Sequence, residues 1–370
     1  MEKLEFLDGL RGSLALWVLM HHIAMDFKMR NDYNYFHSTG YLIGVSGFFI
    51  LSAFLLTYRL ICQLESITFN LTKKSLNSIM IIILKYFIRR LFRIYFPFII
   101  ACSIFYSVPS NYNWNIITFR YSSTSWSGLI KLQSAGLTHF WTIAPECKYY
   151  IFIPLFCLIA VYINFKASIF ANSVLIGFIY HYQVNQNNLD FILEKAYLFS
   201  VRFSTFYLGS LIAVFYRCIQ RNRAINDYII QNKYFQYIVC VLSFVLYLFG
   251  ARKCSSMYSP QLQLQDFFRA SLYWSFVFSI MLLGKKDNIF IEIFRNKFLC
   301  LVGKYSFGIY LFHPLCHEFI LVHLKYYPPV IAQFEFLFYS FVFSFSAGFL
   351  FFHLIENRFI KLANIICNRF

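Results

Sequence analysis

Charge is the scarcest commodity in this chain. Asp, Glu, Lys and Arg make up only 13% of its 370 residues, against about a quarter in a soluble domain. That deficit excludes a fold whose surface mostly faces water. Acidic residues are the scarcer kind, 16 against 33 Lys and Arg, which leaves a net charge of +17. Such an excess can mark a nucleic-acid binder. Here the basic residues are spread between apolar runs and form no aromatic-studded stripe, so no nucleic-acid partner is expected. The ten cysteines include no CxxC pair and no His/Cys cluster at metal-ligand spacing. Neither a zinc site nor a disulfide framework is expected. Cys102, Cys157 and Cys240 lie inside apolar runs, where Cys acts as a small hydrophobe. No cleavable leader pattern is present, because the first apolar run, from about Leu10, already carries Arg11, His21 and His22. Internal repeats and low-complexity tracts are also missing.

What the chain has in quantity is apolar length. Hydrophobic residues make up 59% of it. A helix needs roughly 20 mostly apolar residues to cross a bilayer. Ten segments approach that length: about 10–27, 41–62, 94–108, 148–165, 168–183, 200–216, 234–250, 267–284, 298–324 and 334–355. The expected fold is therefore all-α and polytopic, with the lipid bilayer as its first partner. The apolar segment 79–84 is too short to span alone. The longest stretches between spans, about 63–93 and 109–147, leave no room for a separate soluble domain, so residues 1–370 read as one membrane domain. Trp114, Trp126 and Trp141 in the second stretch suit an interfacial position. With both termini inside, 21 Lys and Arg fall on the inner side, 9 on the outer side and three (Arg202, Arg269, Lys304) within spans. That bias places both termini in the cytoplasm.

Polar groups inside the spans are costly and tend to face a cavity or a partner. Arg11 and His22 are eleven residues apart. At 100° per residue they return to one helix face within about 20°, separated by roughly 16 Å along the axis. Asp26, one turn beyond His22, is placed to hold the imidazole in one tautomer. His21 points about 100° away. From the residues alone two readings stand: a catalytic pair, or a packing histidine with a positive-inside anchor. Arg90 and Arg93, three apart in KYFIRRLFRIYFP, share a face, while Arg89 points elsewhere. They fit either a cytoplasmic anchor or a site for phosphate groups. Glu146, flanked by Trp141 and Tyr150 at the outer edge of the fourth span, fits a sugar-positioning acid or a solvated rim charge. Lys304, Ser306, Tyr310 and His313 fall within a single span, with Lys304 and His313 on opposite sides of it and Pro314 loosening the helix.

These stretches, in this order, resemble the acyltransferase-3 family of membrane acyltransferases. FLDGLRGSLALWVLMHH resembles the family's opening, in which an Arg precedes the His regarded as catalytic: here Arg11 and His22. GVSGFFILSAFLLTY resembles its second-span motif, with Ala53 where Gly is usual. RRLFRIYFP is similar to the basic start of its third span. WTIAPECKYYIFIP matches a family pattern at Trp141, Glu146, Tyr150 and Pro154, with Thr142 replacing Ser. RFSTFYLGSLIA keeps Arg202 and Gly209 but has Thr205 where an acid is common. GKYSFGIYLFHP carries Gly303, Lys304, Ser306, Tyr310 and His313, and IENRF supplies the closing Glu356 and Phe359.

The resemblance implies an acyl-coenzyme A donor, usually acetyl-CoA, and a carbohydrate acceptor beyond the membrane, with no metal. Arg90, Arg93 and Arg11 would then take the donor's phosphates. His22 would either accept the acyl group or remove a proton from the sugar hydroxyl. Glu146, Trp141, Tyr150, Ser306, Tyr310 and His313 would line the acceptor side. Rival readings are a transporter or flippase with no covalent chemistry, a non-catalytic partner of a membrane assembly, and acyl transfer to a lipid or small secreted molecule. The bacterial inner membrane is the family's commonest setting. The oligomeric state is not legible in the sequence.

Overall fold

A computed structural model describes residues 5–27, 40–67, 73–107, 140–185, 201–256, 264–284, 288–324 and 329–370. Every element among them is helical. Helix α1 (Phe6–Phe27) is followed by a π-helical turn, Gly40–Val45, that runs into α2 (Ser46–Leu64). Helix α3 (Lys73–Arg90) passes through a second such turn, Leu91–Tyr95, into α4 (Phe96–Ser107). A 3-10 turn, Phe140–Thr142, opens α5 (Ile143–Tyr149), and α6 (Ile153–Leu158) follows. Then come α7 (Phe165–Asn185), α8 (Val201–Arg221), α9 (Arg223–Gln231), α10 (Lys233–Ser256), α11 (Leu264–Leu282) and α12 (Ile289–Phe294). Helix α13 (Lys297–Leu324) is unbroken at Pro314. Helix α14 (Pro329–Phe351) continues through Phe352–Glu356 into α15 (Asn357–Asn368).

All ten apolar segments of the sequence fall on helices. Among the described residues, four stretches are long and apolar enough to cross a membrane: Ile43–Leu64, Ile143–Ile163, Lys297–His323 and Phe334–Asn368. Arg223–Gln231 and Lys233–Phe249, bent by 76°, make a fifth if they form one broken span. The shortfall from ten has physical causes. Helix α1 carries Asp8, Arg11, two His and Asp26, α4 is only 12 residues long, and α8 carries three Arg. The short segment 79–84 lies within the 18 residues of α3. Most of 109–147 lies outside the described residues. Large apolar side chains face outward along several helices, among them Phe170 on α7 and Phe334 on α14, 72% and 75% exposed. Water would penalise such surfaces and lipid covers them.

Helices α1 and α13 form the most extensive contact in the fold. Glycine permits it. A Cβ on Gly303 would fall 1.9 Å from the carbonyl oxygen of Asp8, and one on Gly12 would fall 2.0 Å from that of Leu299. Backbones this close are the mark of small-residue packing between membrane helices. The two helices run parallel: Asp8 lies level with Gly303, and His22 lies level with His313. Helix α14 returns antiparallel, with Gly348 on Gly308 near one end and Phe336 beside Ile320 near the other. Helix α15 then packs on α3, where the thiol of Cys367 reaches the carbonyl of Lys85 at 3.8 Å. The C-terminal helix thus comes back to the end of the bundle where α1 begins.

Helix α5 is fixed by hydroxyls. Tyr149 meets Ser210 at 2.7 Å, and Ser210 meets Thr57 at 2.8 Å, so α2, α5 and α8 share one buried polar chain. The Tyr149 ring also stacks on Phe206 at 4.9 Å. Glu146 and Tyr150 project from the short helix held in this way.

Candidate active site

A cavity of about 290 Å³ opens between α1, α2, α5, α13 and the turn after α3. Its two ends differ in chemistry. At one end stand Arg11 and Asp8 from α1, Arg59 from α2, Arg90 and Arg93, Lys304 from α13 and Glu356. This is the end of the bundle where the chain begins. At the other end the wall is Val18, Val45, Phe48, Ile143, Thr142 and Tyr310. Ser52, Glu146, Tyr150 and Ser306 lie between them.

Five cations against three carboxylates leave the cavity positive. Among the described residues, Arg11, Arg59, Arg90 and Arg93 form no ion pair within 4 Å. Opposite charges are near without touching: Asp8 and Glu146 act on Arg11, and Glu356 acts on Arg93. The Nε of Arg90 and one carboxylate oxygen of Glu356 are buried without a hydrogen-bond partner among the described residues. Guanidinium donors held this way suit an anionic group with several acceptor oxygens.

Glu146 sits among these groups rather than apart at the opposite rim. It accepts hydrogen bonds from Ser52, at 2.6 Å, and from Tyr150. Tyr150 is itself anchored, because Tyr86 donates to its carbonyl at 3.1 Å. Thr142 and Tyr310 meet at 2.7 Å and join α13 to the turn before α5.

His22 and His313 are in contact, with ring centroids 4.6 Å apart. His313 is fixed by its Nδ1, 2.8 Å from the carbonyl oxygen of Tyr310. Neither imidazole lines the cavity. Each lies about one turn past the last lining residue of its own helix, Val18 on α1 and Tyr310 on α13. His21 turns away and packs against Gly40, where an added Cβ would come within 2.0 Å of the His21 Cβ.

The structure thus gathers Arg11, Arg90, Arg93, Glu146, Tyr150, Ser306 and Tyr310 at one cavity and puts His22 beside His313 at its apolar end. Arg89 stays out of the lining, as its position on the helix predicts. The side chains of Asp26 and Trp141 lie outside the described residues. Sequence reasoning passed over Arg59 and Asp8 as site residues. A signal for Arg59 was present, because it follows Ser52 by seven residues and shares its helix face. Among the described residues no group of three or more His, Cys, Asp or Glu is placed to hold a metal ion.

The model of a family described as an acyltransferase domain, acyltransferase type 3, matches residues 4–352. The chain belongs to the acyltransferase-3 family. Comparison with curated proteins and with solved structures finds no match. Family membership makes the protein a membrane acyltransferase, and its apolar helices fit a multi-pass integral membrane protein. For an acyltransferase-3 chain the arrangement has chemical sense. The cavity offers cations at one end, and the His22–His313 pair lies just past the other.

Proposed function

We propose that this protein is a membrane O-acyltransferase that moves an acetyl group from cytoplasmic acetyl-coenzyme A to a hydroxyl of a cell-surface carbohydrate, such as O-antigen or another polysaccharide. The observation that carries this reading is the single cavity that joins Arg11, Arg59, Arg90 and Arg93 to the threshold of the His22–His313 pair. Coenzyme A carries its charge on phosphates and its thioester at the tip of a long neutral arm. Phosphates at the arginines and the thioester at the apolar end satisfy both halves of the cavity. The arginine end is then cytoplasmic, where the donor is made. Both termini lie on that side, an orientation that the Lys and Arg bias supports, and the chain crosses a bacterial inner membrane ten times.

The acceptor approaches from the opposite face. His22 takes the proton of the attacking hydroxyl, or takes the acyl group first and passes it on. His313 touches His22 and is placed to share its positive charge or to orient the acceptor. Glu146 orders Ser52 and Tyr150 along the donor's path.

The test uses membranes containing the full chain, radiolabelled acetyl-coenzyme A and an extract of surface glycans. Label is expected in carbohydrate. Export of a glycan or lipid that needs no acyl-coenzyme A, with no label transferred, would replace this reading with a transporter or flippase. Label in lipid would keep the chemistry and change the acceptor. Arg90 supplies a second measurement. Arg90→Gln removes charge-assisted hydrogen bonds to phosphate worth about 1.5–3 kcal/mol, so KM for acetyl-coenzyme A should rise about 10- to 100-fold with kcat nearly unchanged. An equal fall in kcat with KM unmoved would place Arg90 outside the donor site.

A further inference from the structure

The thioester carbonyl must acquire negative charge during transfer, and the cations lie at the wrong end of the cavity to meet it. Between the arginines and the apolar wall, the hydroxyls of Ser52 and Tyr150 are committed to Glu146. Ser306 donates to the backbone oxygen of Gly303 at 2.9 Å. Thr142 is different. It is buried at 7% exposure, lines the apolar end, and among the described residues its Oγ1 has a single hydrogen-bond partner, Tyr310. A hydroxyl carries one proton to donate and two lone pairs. A phenol is the more acidic of the two groups and the better donor. Either hydroxyl can donate across this contact; with Tyr310 as the donor, the threonine proton remains available.

We infer that Thr142 is a catalytic residue whose O–H donates to the thioester oxygen as that oxygen becomes an oxyanion, with Tyr310 as the positioning residue behind it. The inference rests on the acyl-coenzyme A reading above. The step balances without redox chemistry. The acceptor oxygen bonds to the carbonyl carbon while His22 takes its proton, and the carbonyl π pair moves onto oxygen against the Thr142 proton. Collapse restores C=O and breaks C–S, and the thiolate leaves with the proton from His22. The products are an O-acyl ester and coenzyme A. If the imidazole is acylated first, an oxyanion forms in each half of the reaction and faces the same donor. A hydrogen bond that passes from Tyr310 through Thr142 to the oxyanion is also strengthened by its own chain.

Three full-length variants test this in detergent or nanodiscs: Thr142→Val, Thr142→Ser and Tyr310→Phe. Acetyl transfer from acetyl-coenzyme A gives kcat and KM, and a non-reactive thioether analogue of acetyl-coenzyme A reports binding. Thr142→Val keeps the shape and loses the donor, so kcat should fall about 100-fold or more with analogue affinity unchanged. Thr142→Ser should recover most of that rate. Tyr310→Phe should cost about tenfold, again in kcat alone. A packing role for Thr142 predicts the reverse order, with valine tolerated and serine impaired. Equal losses in kcat and in analogue affinity would make the pair a structural bridge and overturn the proposal. If the wild-type protein binds neither acetyl-coenzyme A nor the analogue, the donor reading fails and this inference fails with it. If the wild type transfers acetyl and Thr142→Val does so at the same rate, this inference alone fails.

Discussion

Membranes that carry His22→Ala should transfer acetyl at a rate about 10²–10⁴-fold below wild type, the range for removing a positioned general base. His21→Ala should stay within about tenfold, since His21 packs on Gly40 and turns away from the cavity axis. The two histidines are adjacent in sequence and identical in type, so composition and position along α1 cancel in the comparison. What differs is direction. His22 meets His313 on α13 at 4.6 Å, one turn beyond the cavity wall. The readout is labelled carbohydrate per folded protein, with folding checked by size-exclusion profile and thermal midpoint. A folded His22→Ala that keeps more than a tenth of the wild-type rate would remove His22 from the chemistry. A His21→Ala loss as deep as that of His22→Ala, with normal folding, would shift the role to the pair as a unit.

Local periodicity carried the legible part of the site. Arg11 and His22 come from a register countable along one helix, and Arg90 and Arg93 from a three-residue spacing. The structure lines the cavity with Arg11, Arg90 and Arg93 and leaves His22 about one turn past its wall. The other half is tertiary and left no local trace. Glu356 is more than 300 residues from Arg11 and reaches the cationic end only because α14 runs back antiparallel and carries it there. Glu146 reads in sequence as a sugar-positioning acid or a solvated rim charge, because it falls just outside the fourth apolar run. The buried chain Thr57–Ser210–Tyr149 draws its helix inward, and no pattern near Glu146 announces that. The helical class was plain from apolar length. The number of spans was less so, because helices that line a polar cavity must carry charge, and charge is what masks a span in hydropathy. Helix α1 shows this: the sequence reads 10–27 as a span, but α1, which carries Asp8 and Arg11 of the cavity lining, is not among the stretches apolar enough to cross a membrane.

Gly303→Leu is expected to separate the two imidazoles without touching either. The site needs α1 and α13 at glycine distance, because His22 projects fourteen residues past Asp8 and His313 ten residues past Gly303, beyond the contact of Asp8 with Gly303. A leucine side chain would have to occupy space already held by the Asp8 carbonyl and the Gly12 backbone. Backbone has no rotamer to yield, so the helices must move apart or the chain must unfold locally. Overpacking of this kind costs about 3 kcal/mol, seen as a lower thermal midpoint, and acetyl transfer should fall with it. Gly177→Leu is the matched control: nothing lies within 4 Å of an added Cβ there, so the same substitution should leave both readouts near wild type. Gly303→Ala is the finer probe. If it folds normally and still loses transfer, the helix spacing sets the distance between the imidazoles. If it folds normally and transfers at the wild-type rate, His22 does not need His313 at contact, and the histidine on α13 serves the acceptor instead.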